Sequence, residues 1–401
     1  MNDLLWIPDW PTQFSLLTIT AVILIVGALS ARVISPLLRI PEISAFLLCG
    51  FLIGPSGISL LPAGTIPGIE TLADLALGLV LFELGRRIDV GWLIRERWTL
   101  VTSLAQGLCV FLGLLATLLA YDIPLNLALL TAALGCTTSP LIPLRISQEL
   151  ESEGQVTERV LHAVVLQCSL GFALFVGGLQ SLHITQSADW FTILLHPSYL
   201  IFGSIALGYL ASRIVRLLSW LFQGRAELQL VVVLGMVFLL VEANDLLKLS
   251  PLMSLLVFGV SSRGYSGNIA LQTPTSSFGN YFVFAFLFVT LGTTLQISFR
   301  LETFGLALII SAIRWLLLMI PSTLFARANG LSLWHGVLWG STLFPMTSLT
   351  IVLVNHTAEL YPGIGYELTN LLGAMLLITY TIGPLITWWS IRLSGEARHN
   401  A

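Results

Sequence analysis

Two segments of this chain carry the same interruption 205 residues apart. Gly135-Cys136-Thr137-Thr138-Ser139-Pro140 lies in one apolar run and Gly340-Ser341-Thr342-Leu343-Phe344-Pro345 in another. Leu81 to Asp89 echoes Phe288 to Gln296, aligning Gly85 with Gly292. Pro41, Ser44 and Gly50 echo Pro251, Ser254 and Gly259. The echoes keep their order at offsets of 205–210. The chain therefore reads as two copies of one unit, each with a proline-broken helix. Such duplication with paired broken helices is typical of secondary transporters.

The setting for these copies is a bilayer. Only 10% of the residues are charged and 56% are hydrophobic, whereas a soluble domain carries roughly a quarter charged residues. Apolar runs of about 20 residues recur from end to end, long enough to cross a ~30 Å hydrocarbon layer. They are continuous, without the period-two alternation of a barrel. The reading is an all-α polytopic membrane protein. No basic or aromatic-interleaved run points to nucleic acid. The four cysteines, Cys49, Cys109, Cys136 and Cys168, all fall inside apolar spans and read as small buried hydrophobes. No metal-ligand spacing appears. Asp3 and Asp9 precede the first apolar run, so no cleavable leader is expected.

Thirteen spans are expected: 14–34, 42–61, 69–85, 98–121, 125–145, 160–181, 198–222, 226–245, 249–263, 278–298, 305–328, 333–354 and 367–391. Of the 18 Lys and Arg, 15 fall in the connections after odd-numbered spans or in the tail. Only Lys248 and Arg300 fall on the other side, and Arg314 lies within a span. This bias places the N-terminus outside and the C-terminus in the cytoplasm of a cell (inner or plasma) membrane. Residues 1–181 then form the first six-helix repeat and 182–225 a linker helix. Residues 226–391 form the second, inverted repeat, and 392–401 a short cytoplasmic tail with no extramembrane module.

Proline inside a helix removes a donor and clashes with the carbonyl four residues back, here those of Cys136 and Ser341. Thr137, Thr138, Ser139, Ser341, Thr342, Thr347 and Ser348 offer hydroxyls to the loosened backbone. Broken backbone survives at membrane depth only when it is buried in protein or lines a wet cavity. Pro140 and Pro345 thus read either as simple kinks or as two facing breaks that present helix ends near the midplane.

These segments resemble the monovalent cation/proton antiporter superfamily, in the branch of the potassium-efflux systems and sodium/proton exchangers. Pro41 to Leu60, with Gly50 and Gly54-Pro55, resembles that family's second span. Ala73 to Asp89 resembles its third, and Thr137-Thr138-Ser139-Pro140 its "TSP" break. Leu249 to Gly259 and Phe286 to Leu295 resemble segments of its second repeat. The resemblance implies two inverted repeats of about 13 helices in all, with crossing discontinuous helices. It implies exchange of Na+ or K+ for protons, and a homodimer in the lipid bilayer. It implies no cofactor beyond the transported ion.

One departure is chemical. The family's sixth span carries an Asp that binds cation and proton alternately. Here that stretch runs from Val164 through Gln167-Cys168 to Gly171, and Ser169 stands at the Asp position. A serine can ligate a cation through oxygen but cannot carry the competing proton. The family's basic residue in the eleventh span is matched by Arg314. Its twelfth-span motif appears as Thr347 to Leu353 without the acid.

The candidate transport-site residues are Thr137, Thr138, Ser139, Pro140, Gln167, Ser169, Arg314, Pro345, Ser348 and Glu83. Mid-membrane Arg costs roughly 2.5–3.5 kcal/mol, so Arg314 needs a reason. It is either a clamp on carbonyls and a buried acid or a fixed charge beside the site. Glu83 is either an interfacial acid paired with Arg86 or Arg87, or a buried partner of Arg314 or a displaced proton-binding group. Asp74 lies nearer the other end of the same span. Glu242 and Asp245 read as surface charge, and His162 and His356 as structural or pH-sensing. Three functions remain open. One is cation/proton exchange with a relocated acid, which expects Glu83 or Asp74 buried within reach of the first break. Another is transport of an anion or other solute on the same fold. The third is a non-transporting sensor or subunit whose output comes from a separate cytoplasmic partner. No nucleophile–base pair or phosphate loop supports an enzyme.

Overall fold

The computed structural model describes residues 16–38, 40–54, 66–185, 195–221, 226–263, 277–294 and 301–398. Parts of several expectations lie outside the described residues: the acidic N-terminus, 55–61, 295–298, Arg39, Arg225 and Arg300. Among the described residues the regular structure is helical throughout. Among the described residues, six helices are long and apolar enough to cross a membrane.

The first half contributes α1 (Leu16–Leu38), α2 (Glu42–Ile53), α3 (Ile66–Arg87), a short α4 (Val90–Arg95), α5 (Arg97–Ala120), α6 (Leu125–Gly135), α7 (Leu141–Glu149) and α8 (Gln155–Thr185). A π-helical turn at Tyr199–Gly203 leads into α9 (Ser204–Leu221). The second half contributes α10 (Ala226–Leu246), α11 (Pro251–Ser262), α12 (Ser277–Thr294), α13 (Leu301–Leu324), α14 (Leu333–Thr342), α15 (Leu349–Leu360) and α16 (Pro362–Leu393).

These helices pack as two layers. In the first, α2 lies on α1 and α12, and α3 lies on α10, α11 and α12, with α9 against α10 and α11. In the second, α5 and α13 pair centrally, with α6, α8, α14 and α16 around them and α15 against α16. Lipid tails give apolar helices no hydrophobic reason to associate, so close packing of small residues does that work. A Cβ on Gly50 would lie 2.0 Å from the Val289 carbonyl oxygen and 2.9 Å from Gly292 Cα. One on Gly85 would lie 2.6 Å from the Leu256 oxygen and 3.0 Å from Gly259 Cα. Gly50 is the sequence counterpart of Gly259, and Gly85 of Gly292. The α2–α12 and α3–α11 contacts are therefore one contact made twice, with the two halves exchanging roles.

Both proline-containing runs are broken. The first leaves helical geometry after Gly135 and resumes at Leu141, and the second stops at Thr342 and resumes at Leu349. The breaks meet: the Ser139 backbone N–H donates to the Pro345 carbonyl at 2.7 Å. The simple-kink reading of Pro140 and Pro345 is excluded by this geometry.

Candidate functional site

The crossing is organised around Arg314. Its side chain is fully buried on α13. Nε donates to the Gly135 carbonyl at 2.6 Å, one terminal nitrogen to the Thr137 carbonyl at 2.8 Å, and the other to the Phe344 carbonyl. One guanidinium thus caps the ends of both α6 and α14. The loosened carbonyls that matter are those of Gly135, Thr137 and Phe344, in place of the expected Cys136 and Ser341. The electrostatics agree with the geometry. Each helix C-terminus carries about −0.5 charge, so two of them offset one cation. Among the described residues no carboxylate lies within ion-pair distance of Arg314. The expected buried acid is absent from the clamp.

Glu83 is not part of this cluster. It sits near the end of α3, its side chain 40% exposed, and pairs with Arg86 and Arg87 one turn on. The expectation that it lies buried beside Arg314 is corrected by that position. Asp74 is exposed as well, at the mouth of a cavity.

The hydroxyls behave differently from one another. Thr137 Oγ1 donates back to the Leu134 carbonyl at 2.6 Å and lies 3.4 Å from Thr350 Oγ1. Thr342 Oγ1 donates to the Leu338 carbonyl at 2.8 Å. In contrast, the buried Ser139 hydroxyl and Gln167 Oε1 have no hydrogen-bond partner, while the side chains of Tyr380 and Ser348 lie against each other, as do those of Cys168 and Thr138. Buried polar atoms are normally satisfied, so two unsatisfied oxygens around one crossing point to a ligand or water.

Helix α8 runs directly beside the break. A Cβ on Gly171 would lie 2.4 Å from Thr137 Cγ2, which explains the glycine. Cys168 Sγ donates to the Thr138 carbonyl at 2.9 Å. Gln167 donates to Gln106 Oε1 at 3.2 Å, and Gln106 donates to the Leu318 carbonyl at 3.0 Å. Sequence reasoning took Cys168 for a buried hydrophobe and passed over Gln106, Thr350 and Tyr380. The usable signal for Cys168 was its place immediately before Ser169.

Helix α8 contributes to the lining of two cavities, through Phe172 and Phe175 in one and Glu158, Leu161 and His162 in the other. Away from the Arg-rich end, a cavity of about 290 Å3 is lined by Asp74, Leu81, Phe172, Asp245, Leu349 and His356. Phe172 follows Ser169 by three residues in the chain, and Leu349 follows Ser348 by one. At the Arg-rich end, a cavity of about 350 Å3 is lined by Arg86, Arg87, His162 and Arg263. Ser169 itself is half-buried.

Two polar bridges join the layers at the Arg-rich end. Arg145 of α7 donates to Glu42 of α2 at 2.8 Å. The Asp89 backbone N–H lies 3.3 Å from His162 Nε2, while His162 Nδ1 faces the Glu158 carbonyl at 2.8 Å. A backbone carbonyl can only accept, so Nδ1 carries the proton and Nε2 accepts from Asp89.

Comparison with known proteins follows the same outline. Residues 21–390 match the family described as sodium/hydrogen exchanger, transmembrane. Among solved structures, the sodium proton antiporter MjNhaP1 from Methanocaldococcus jannaschii at pH 8 is similar, with a TM-score of 0.67 at 18% identity. That match covers 94% of this chain and 95% of that one. An electron-microscopy structure of the same antiporter gives a TM-score of 0.71 at 19% identity, covering 96% and 99%. No curated protein matches the sequence.

Proposed function

We propose, from the premise that this chain belongs to the sodium/hydrogen exchanger family, that it exchanges a monovalent cation, Na+ or K+, for protons. The cation site lies where the two broken helices cross. The observation that carries this reading is the cluster of buried neutral oxygens on Thr138, Ser139, Gln167 and Ser348 near half-buried Ser169, with those of Ser139 and Gln167 Oε1 unsatisfied. Neutral oxygens suit a hard monovalent cation, and Arg314 does not repel it at full strength because two helix ends offset its charge. Alternating access follows if the second layer rocks against the first, opening the two cavities in turn. By the arginine bias the Arg-rich end faces the cytoplasm. We also take the unit to be a homodimer in the cell membrane, as the family resemblance implies.

A second reading has one observation in its favour. With Ser169 in place of the acid, the N-termini of α7 and α15 face the crossing with no opposing carboxylate among the described residues, which suits an anionic solute.

Flux separates the two. Vesicles containing the purified chain and a pH dye are exposed to sodium, potassium or chloride gradients. Cation-driven proton movement is expected, and Ser169→Asp should shift its pH dependence. Proton movement driven only by the anion gradient selects the second reading, and none under any gradient refutes both.

A further inference from the structure

Two fully buried amides, Gln106 of α5 and Gln167 of α8, join three helices in one directed chain of hydrogen bonds. The chain starts at the Leu318 carbonyl of α13, one turn beyond Arg314. A main-chain carbonyl can only accept, so the Gln106 atom facing it at 3.0 Å is the amide nitrogen. Ser322 Oγ donates to the same carbonyl at 3.1 Å. Gln106 Oε1 is then the atom left for Gln167, and it accepts from Gln167 Nε2 at 3.2 Å. Turning either amide over would set oxygen against oxygen, so one backbone group fixes the sense of both.

The outcome is a fixed polarity at the far end. Gln167 Oε1 is buried and has no hydrogen-bond partner, so the chain of amides leaves an acceptor open. Leaving such an oxygen dry and unpaired is unfavourable, and a glutamine free to rotate would avoid it. Gln106 removes that freedom. The position is level with the first break. Cys168, the next residue, donates to the Thr138 carbonyl at 2.9 Å, and Gly171, one turn on, packs against Thr137. Ser139 in the same break carries the other unsatisfied buried oxygen.

We propose that Gln106 is a positioning residue: anchored on the Leu318 carbonyl, it holds the Gln167 amide so that Oε1 serves as a neutral ligand for the transported cation. This deepens the exchange reading and rests on it. An acceptor held in this way suits Na+ or K+ and offers nothing to an anion. The anchor lies on the helix that carries Arg314, so the same helix orders the two helix ends and the ligand beside them.

The test is flux in vesicles holding the intact chain, with external sodium or potassium varied. Gln167→Met removes one ligand and should raise the cation KM about tenfold, with kcat changed much less. Gln106→Met should raise KM by up to the same factor, because the released amide no longer keeps its oxygen in place. The double variant should match Gln167→Met, since Gln106 acts only through that side chain. Replacing both partners by apolar chains of similar shape leaves no amide unpaired, so the double variant keeps the fold even where Gln106→Met loses it. Two amides that only glue helices together would lower Tm and leave KM unchanged, and that result overturns the proposal. A double variant with a KM well above that of Gln167→Met also overturns it. A wild type without any cation-driven proton signal overturns the exchange reading instead. Melting then decides the ligand: Na+ or K+ should raise the wild-type Tm, and raise it less in Gln167→Met and Gln106→Met. Equal shifts in all three, or none in the wild type, overturn the proposal.

Discussion

Removing the Arg314 guanidinium should unfasten both broken helices at once. Each of its three hydrogen bonds has a charged donor, and such bonds contribute about 1.5–3 kcal/mol apiece. The gross loss in Arg314→Ala is therefore roughly 5–9 kcal/mol. Against this stands the cost of burying the cation, still several kcal/mol after relaxation. The carbonyls of Gly135, Thr137 and Phe344 then face a cavity without donors. The net destabilisation should be about 3–5 kcal/mol, the range found when one partner of a buried charged pair is removed. In thermal melting of the purified protein that is a fall of roughly 5–10 °C. Arg314→Lys keeps the charge but not the planar fork, and a single ammonium cannot reach three carbonyls on two chain segments. It should melt between the wild type and the alanine variant, with transport reduced. An alanine variant that melts with the wild type would refute the double-cap reasoning. A lysine variant indistinguishable from wild type would show that charge alone matters there, and that the three-point geometry does not.

Two further predictions concern packing and capping. Gly85→Val places side-chain atoms where the Leu256 carbonyl and Gly259 already sit, and should cost at least about 1–3 kcal/mol. Gly305→Ala on α13 meets nothing within 4 Å and should be neutral or slightly stabilising, by about 1 kcal/mol at most. Equal melting of these two variants would contradict the close α3–α11 approach. Glu396 accepts from the backbone N–H groups of Val156 and Thr157 at 2.7 and 2.8 Å, and so caps α8 from the tail. Glu396→Ala should cost about 0.5–2 kcal/mol, read as faster hydrogen exchange in the first turn of α8 with little change elsewhere.

What could be read from the sequence follows from which atoms carry the interactions. Pro140 and Pro345 were legible because proline lacks the N–H a helix interior needs, wherever the chain goes next. The glycine pairs were legible as echoes, though which glycine meets which was not. Arg314 announced itself by the cost of its charge. Its partners did not, because they are main-chain carbonyls, two of them 177 and 179 residues away, and every residue has one. Glu83 was ambiguous because hydropathy does not say how far along a span the protein–water boundary falls. The arginines three and four residues later already described its surface pairing. The same limit explains the apparent conflict at the crossing. The sequence shows a buried cation and no acid, which looks unbalanced. In the fold, the ends of α6 and α14 supply the opposing charge from backbone alone. The balance of charge at the crossing is thus set by where main-chain carbonyls end up, which neither hydropathy nor residue type encodes.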